Sequence, residues 1–292
     1  MNILIFGGTG FLGEKLVTKI KQKNVVFVYI NKTQLRNKKN TKEAKIKKFD
    51  YENIKKFVTK NKINLIINLA SLTSVELCQK YKKKSYKVHV LLPKILSKIS
   101  NEKSIRIIHI STDHLFKGEK VDLYREISKP NPINYYAKTK YLGENEIKKN
   151  KNHLIIRTNF FGFNKKKKNS FSDKIVNKLK NKVKMSLWSN VYFSPLHVEN
   201  LTYIINYLIK KKITGIFNLS SEKISKYNLG VLIANKLNLD KHLIKQNLFD
   251  KKIFVKRPLN MSLSNKKILN YFPILKKKMT LKSQLEILKN EY

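Results

Sequence analysis

The sequence predicts an α/β fold: a doubly wound parallel sheet with a smaller C-terminal part. Three observations carry this. Short, continuous apolar runs recur at Asn2–Phe6, Val25–Ile30, Ile63–Leu69 and Ile105–Ser111, the pattern of strands buried on both faces. Stretches with apolar residues in helical spacing stand between them, so strands and helices take turns. The first run also breaks directly into glycines, Gly7-Gly8-Thr9-Gly10-Phe11-Leu12-Gly13.

Leu12, Leu16, Val17 and Ile20 follow those glycines in helical spacing, and Val25–Ile30 is the next strand. Strand, glycine turn, helix and strand together form a Rossmann-like unit. A tight turn needs a residue tolerant of unusual φ, and close approach to a pyrophosphate requires that there be no Cβ. The helix that opens here aims its free N–H groups and positive dipole end at the phosphates. We read Gly7, Gly10, Phe11, Leu12 and Gly13 as a dinucleotide site, against the plainer alternative of a purely structural turn. The second strand ends in Asn31-Lys32, with no acid before Glu43. A carboxylate there would hold the ribose 2′-OH of NAD, whereas a neutral residue beside cations suits a 2′-phosphate, which favours NADPH over NADH. In so lysine-rich a chain, Lys32 and Arg36 are also readable as simply solvated.

The alternation continues. Lys45–Phe49 is the expected third strand, leading into Asp50-Tyr51 and a helix over Asn53–Lys60. The strand Ile63–Leu69 ends in Ala70-Ser71. Val75–Ser100 reads mostly as helix, with Pro93 marking a break or a fresh start. In such sheets ligands bind beyond the carboxyl ends of the strands. Ser111-Thr112-Asp113 stands at one such end. Tyr136-Ala137-Lys138-Thr139-Lys140 follows the turn-forming Lys129-Pro130-Asn131-Pro132, and periodicity through Tyr141, Leu142 and Ile147 places it on a helix. Tyr136 and Lys140 are then neighbours on one face.

That spacing has a chemical use. A free tyrosine titrates near pH ~10, and an ammonium one helical turn away favours the phenolate. The tyrosine can then pass a proton to a carbonyl oxygen while hydride arrives from a nicotinamide, with the Thr112 hydroxyl sharing that oxygen. A positioned acid of this kind contributes ~10²–10⁴-fold. Taken alone the pair is weak, since the chain has 14 tyrosines, Tyr135 and Tyr141 among the nearby competitors. It gains its force from the glycine turn and the strand-terminal Ser-Thr.

Composition sets the outer limits. The 292 residues suggest one large domain or two ordinary ones, and 41% hydrophobic content excludes a wholly disordered chain. The single cysteine, Cys78, excludes an intramolecular disulfide scaffold and is read as inert. The start has no signal-peptide pattern and no run approaches ~18 apolar residues, so a soluble, cytoplasmic protein is expected. Lys+Arg number 63 against 19 Asp+Glu, a net charge of +44, yet the only arginines are Arg36, Arg106, Arg125, Arg157 and Arg257. Phosphate and base readers lean on the bidentate guanidinium. Lysine spread among Asn and Ile along the whole chain is read as compositional bias, with no specific nucleic-acid partner. The positive field still speeds the capture of anionic substrates at low salt. His109, His153, His197 and His242 show no metal-ligand spacing, and His109, inside an apolar strand, is read as a satisfied core residue.

The glycine turn, Ser111-Thr112-Asp113 and Tyr136-x-x-x-Lys140 together resemble the extended short-chain dehydrogenases/reductases. Within them the chain looks most like the dTDP-4-dehydrorhamnose reductase branch. Asn68-Leu69-Ala70-Ser71-Leu72-Thr73-Ser74-Val75-Glu76 resembles N-A-A-A-H-T-A-V-D, and Ser111 to Gly118 resembles S-T-D-Y-V-F-x-G. Arg157-Thr158, Phe193 to Val198 and Arg257-Pro258-Leu259-Asn260 resemble the branch's R-T, x-x-P-T-x-V and R-P-x-N. The resemblance implies NADPH- or NADH-dependent reduction of a nucleotide-linked 4-keto-6-deoxy sugar, as in dTDP-rhamnose and polysaccharide biosynthesis. Tyr136 would be the acid, Lys140 its support and Thr112 the carbonyl partner. Asp50, Tyr51, Leu69, Ala70 and Ser71 would join the glycines, Asn31, Lys32, Tyr136 and Lys140 at the cofactor. Thr73, Val75, Thr112 and Phe160 would lie near the sugar.

It also implies a nucleotide-binding domain over 1–161, rejoined by a segment near Tyr192 to Ser221, and a substrate-binding part over 162–292. A homodimer is left open. Three departures matter. His114 replaces a usual Tyr, and the Glu that dehydratases carry there is absent, which argues against elimination. His89 stands where the superfamily often has Asn, so no proton relay carries over through it. Phe160 stands where the branch often has Trp, so the sugar preference can differ. The rival readings are an NAD-dependent nucleotide-sugar epimerase and a non-catalytic NAD(P)-binding regulatory subunit.

Overall fold

In the computed structural model a seven-stranded sheet gathers the apolar runs. Its strands include β1 (Asn2–Phe6), β2 (Val25–Tyr29), β3 (Thr41–Glu43), β4 (Leu65–Asn68), β5 (Arg106–Ile110) and β6 (His153–Thr158). With the strand Gly215–Leu219, the spatial order is Gly215–Leu219, β6, β5, β4, β1, β2, β3. Every pairing from β6 to β3 is parallel. The structure describes residues 1–21, 24–29, 40–46, 48–119, 121–164, 166–250 and 255–292. These fall into two compact units. The first comprises Met1–Ser111, Asn134–Ile156 and Thr202–Ile216; the second comprises Thr112–Ile133, Arg157–Leu201 and Phe217–Tyr292.

The helices of the first unit are α1 (Phe11–Ile20), α2 (Tyr51–Lys60), α3 (Val75–Lys80), α4 (Lys82–Tyr86), α5 (Leu92–Glu102) and α6 (Tyr135–Lys148). Side-chain caps start several of them. Asp50 accepts from the Asn53 N–H, Ser74 from Leu77 and Asn134 from Ala137. Leu4, Phe6, Phe27, Ile54, Ile66, Leu96, Ile107, Ile147 and Ile155 form one core from sheet and helices. Buried Arg106 closes an end of this unit. Its guanidinium donates to the carbonyls of Leu208, Ile209 and Ile213, at and just beyond the end of the helix Val198–Lys211.

One expectation is corrected here. The third strand is Thr41–Glu43, not Lys45–Phe49: it pairs with Val26–Val28, and Ala44 donates the last hydrogen bond to Val28. This edge strand is polar and lacks an apolar pattern, whereas Ile46 and Phe49 pack on the core from irregular chain. The helical stretch 75–102 is also interrupted at Tyr81 (φ −110°, ψ 60°) and widens into a π turn over Lys87–Leu91, after which α5 starts afresh at Leu92, as Pro93 suggests. Pro93 lies in the first turn of α5, where a missing N–H goes unneeded.

The second unit has its own core, with Phe161, Ile175, Phe193, Leu229, Ile233 and Leu288 among its members. Short strand pairs frame it: Phe160–Phe161 with Leu196–His197, Tyr192–Phe193 with Ile224–Ser225, and Met185–Trp188 with Ile244–Asn247. The expected division at residue 161 differs from these units in three places, the first being that the second unit already begins again at Arg157. Residues 112–133 group with the second unit, because Tyr124 exchanges backbone hydrogen bonds with Ser262 and Ser264 and accepts from the Asn218 amide. The rejoining segment is Thr202–Ile216, shorter than Tyr192 to Ser221. No helix among the described residues is long and apolar enough to cross a membrane.

Candidate active site

The glycine turn closes where β1 ends. Gly7 has φ +80°, and a Cβ there would lie 2.7 Å from the Ala70 nitrogen, on the neighbouring β4 side. The Gly10 N–H donates to the Gly7 carbonyl at 3.1 Å. A Cβ on Gly13 would stand 2.2 Å from the Gly7 oxygen and 2.6 Å from the Gly8 Cα, so turn and helix touch backbone to backbone. Gly10 caps α1 without a side chain, which leaves the first N–H groups of a dipole-aligned helix clear of any capping side chain. These features fit the pyrophosphate of a dinucleotide. Phe11 is half-buried and Leu12 buried. Asn31, Lys32 and Arg36 lie outside the described residues.

At the end of β4, Asn68 organises the chain. Its Oδ1 accepts from the Ala70 N–H at 3.1 Å, which turns its Nδ2 toward His109 Nδ1, also at 3.1 Å. His109 Nδ1 is therefore the acceptor, and its proton sits on Nε2, which finds no partner among the described residues. The expectation of a satisfied core histidine holds for one ring nitrogen only. Burial holds the imidazole far below its ordinary pKa.

Asp50 and Tyr51 have partners within the protein. The Asp50 carboxylate accepts from the Asn53 backbone and side chain, which lowers its pKa. The Tyr51 hydroxyl donates to Glu102 and accepts from Lys55 at 2.9 Å, and the Lys98 ammonium stands 4.2 Å above its ring. Both fasten α2. Leu69, Ala70 and Ser71 are half-buried on the loop after β4, Thr73 is exposed, and Val75 is buried as the first residue of α3.

Tyr136 and Lys140 lie on the buried face of α6, 9% and 3% exposed. The Lys140 ammonium donates to the Ile110 carbonyl, at the carboxyl end of β5, at 2.6 Å. Burial lowers its pKa to about 8, with Glu144 opposing the shift. The group thus remains mostly charged at neutral pH, yet sits poised to feel a nearby anion. The His89 ring meets Tyr136 edge to face at 5.6 Å. Cys78 is buried with its thiol toward the Leu72 carbonyl, its pKa raised by burial.

In the second unit Thr112 and Asp113 are both buried. The Thr112 hydroxyl donates to Asp113 at a long 3.3 Å and accepts from the His114 N–H. Asn159 donates to the other carboxylate oxygen at 2.8 Å. Burial raises the Asp113 pKa against the opposing charge of Lys226, whose own pKa burial lowers. The Lys226 ammonium lies 3.4 Å from the centroid of Phe193 and 5.3 Å from that of Phe171. Phe160 is half-buried beside Phe161. The electrostatic influence of Lys226 on Asp113 was missed in the sequence, where one lysine among dozens gives no signal.

A parallel sheet whose first strand runs into a bare glycine turn, with a buried tyrosine–lysine pair beside a later strand end, defines the extended short-chain dehydrogenase/reductase class. The chain belongs to the RmlD substrate binding domain family, whose model matches residues 1–289. A dTDP-4-dehydrorhamnose reductase of Salmonella typhimurium is 25% identical over 229 residues, 75% of this chain and 72% of its own length. The methionine adenosyltransferase 2 subunit beta of Xenopus laevis is 24% identical over 256 residues, 81% of this chain and 72% of its own. Among solved structures, a dTDP-4-dehydrorhamnose reductase of Bacillus anthracis in complex with NADP superposes with a TM-score of 0.84, at 22% identity over 100% of this chain and 99% of that one.

Proposed function

We propose that this chain is an NADPH-dependent reductase acting on a nucleotide-linked 4-keto-6-deoxy sugar. The observation that carries the reading is the buried Lys140 ammonium, held on the Ile110 carbonyl one helical turn from Tyr136. The family and the activity of the Salmonella relative support it. The glycine turn and the uncapped N-terminus of α1 would hold the cofactor's pyrophosphate. A bound reduced nicotinamide supplies the hydride to the sugar's carbonyl carbon.

This chain's residues manage the proton. Tyr136 donates its phenolic proton to the carbonyl oxygen as negative charge develops there. The phenolate left behind is stabilised by the Lys140 ammonium, and each tenfold of acidity so gained is worth about 1.4 kcal/mol. The family resemblance gives the Thr112 hydroxyl the role of hydrogen-bond partner to a substrate carbonyl. Its present bond to Asp113, at 3.3 Å, is long and readily exchanged.

The test is Tyr136→Phe, followed through NADPH absorbance with a panel of nucleotide-linked ketosugars. Turnover should fall about 10²–10⁴-fold while NADPH affinity stays within about twofold. Unchanged turnover would reject the assignment. A regulatory subunit is the second reading, favoured by the Xenopus relative being named for a subunit of a methionine adenosyltransferase. Turnover of any sugar nucleotide excludes a purely regulatory role, and net NADPH consumption excludes an epimerase that regenerates its NAD.

A further inference from the structure

His89 occupies the π turn Lys87–Leu91 of the first unit and is 1% exposed. A π turn carries an extra residue, which re-aims side chains relative to a regular helix. Here the ring is aimed between two structures. Its Nε2 lies 3.0 Å from the Leu72 backbone nitrogen and 3.0 Å from Ser71 Oγ, on the loop after β4. Its Nδ1 lies 2.8 Å from Thr139 Oγ1 on α6 and 3.3 Å from Ser85 Oγ.

The chemistry of these partners fixes the tautomer. A backbone N–H only donates, so Nε2 is the unprotonated acceptor and the proton of the neutral ring sits on Nδ1. Nδ1–H then donates to Thr139 Oγ1. The Thr139 hydroxyl donates onward to the carbonyls of Tyr135 and Tyr136, each at 3.0 Å. A continuous path of hydrogen bonds therefore runs from the loop after β4, through one imidazole, into the first turn of α6. Burial foremost, with the charge of Lys140, lowers the His89 pKa to about 3, so the ring stays neutral across the working range. Protonation would set an N–H against the Leu72 N–H. The backbones meet as well: a Cβ on Gly143 of α6 would lie 2.1 Å from the His89 carbonyl oxygen.

We propose that His89, fixed as its Nδ1–H tautomer, is a positioning residue that sets Tyr136 of α6 against the Ser71–Leu72 loop. It touches neither substrate nor cofactor in this role and acts through Thr139 and Leu72. The effect on rate rests on the reductase reading above; the clasp itself does not.

Two kinds of measurement test it. In the wild-type protein, nitrogen-resolved NMR of His89 should show Nδ1 protonated and Nε2 bare, with no titration between about pH 5 and 8. Amide exchange at Leu72 should quicken in His89→Asn, whose shorter side chain cannot bridge both sides. In turnover, His89→Asn and Thr139→Val should each lose about 10- to 100-fold in kcat, with KM for the sugar nucleotide and NADPH affinity within about threefold. Thr139→Ser, which keeps the hydroxyl, should stay within about twofold of wild type. The double variant should be no worse than the poorer single one, because both cut the same path. A titrating or Nε2-protonated ring overturns the proposal, as does Thr139→Val behaving like Thr139→Ser, or losses that multiply in the double variant. A wild-type protein without turnover sinks the reductase reading instead, and the NMR and exchange results still decide the clasp.

Discussion

Replacing Lys140 by methionine should abolish turnover and yet make the fold more stable at neutral pH. The ammonium is buried at 3% exposure, and burial moves its pKa from the ordinary 10.5 to about 8. At 1.36 kcal/mol per tenfold, that displacement is a cost of about 3 kcal/mol for keeping the charge inside the fold. The sign follows from the protons bound. Below pH 8 both folded and unfolded lysine are charged, and the whole cost is present; between pH 8 and 10.5 the unfolded chain binds the extra proton, so stability rises with pH. Methionine removes the cost but leaves the Ile110 carbonyl without its donor, a loss of about 1–2 kcal/mol. The net gain at pH 7 is then about 1–2 kcal/mol. It should shrink as pH rises above 8 and change sign at about pH 9–10, where the remaining charge cost falls to the 1–2 kcal/mol lost at the Ile110 carbonyl. Urea unfolding of both proteins at pH 7, 8.5 and 10 measures it. A variant less stable than wild type at pH 7, or a difference that stays flat across that range, would refute the assignment of a buried, costly ammonium.

Three further outcomes follow from the same geometry. Gly13→Ala forces a methyl group to 2.2 Å from the Gly7 carbonyl, backbone that cannot move aside cheaply. It should cost about 1–3 kcal/mol in thermal or urea unfolding and abolish detectable cofactor binding by titration. Arg106→Met strands the carbonyls of Leu208, Ile209 and Ile213 and should destabilise by about 2–4 kcal/mol in urea, with the Tyr136-dependent chemistry unchanged in the surviving folded fraction. Asp113 binds its proton more tightly folded than unfolded, so wild-type stability should fall as pH rises from about 4 through 6. Asp113→Asn should flatten that slope, read as the shift in urea midpoint between pH 4 and pH 7.

The parallel sheet was legible because buried strands leave uninterrupted apolar runs, as in Ile66, Ile67 and Ile107, Ile108. The glycine turn was legible because backbone contact between Gly13 and Gly7 admits no other residue. Legibility failed where structure owes little to apolar pattern. The edge strand Thr41–Glu43 is held by hydrogen bonds to β2 with a mostly polar face, while Ile46 and Phe49 advertise a strand and pack as loop. The π turn at Lys87–Leu91 has no compositional signature, so the clasp through His89 was invisible until Leu72 and Thr139 were seen on either side of it. Asp50 and Tyr51 also carry a role that their types do not advertise: in the fold they fasten α2.

The lysine excess sharpens the reading of the site. A drift of composition toward lysine places the residue where it is cheap, in water, with its stem along the surface. That explains most of a net charge of +44. It does not explain Lys140, the only lysine among the fully buried polar side chains of the described residues. A position that costs about 3 kcal/mol at neutral pH is one that drift alone would vacate, since leucine or methionine would fill the same space on α6 without the charge. Its neighbour by one turn is a buried tyrosine, whose phenolate is the anion an ammonium so placed would stabilise. The same chain that hides Lys140 in composition therefore exposes it through energy: among so many lysines, the informative ones are those held at a cost, Lys140 beside Tyr136 and, in the second unit, Lys226.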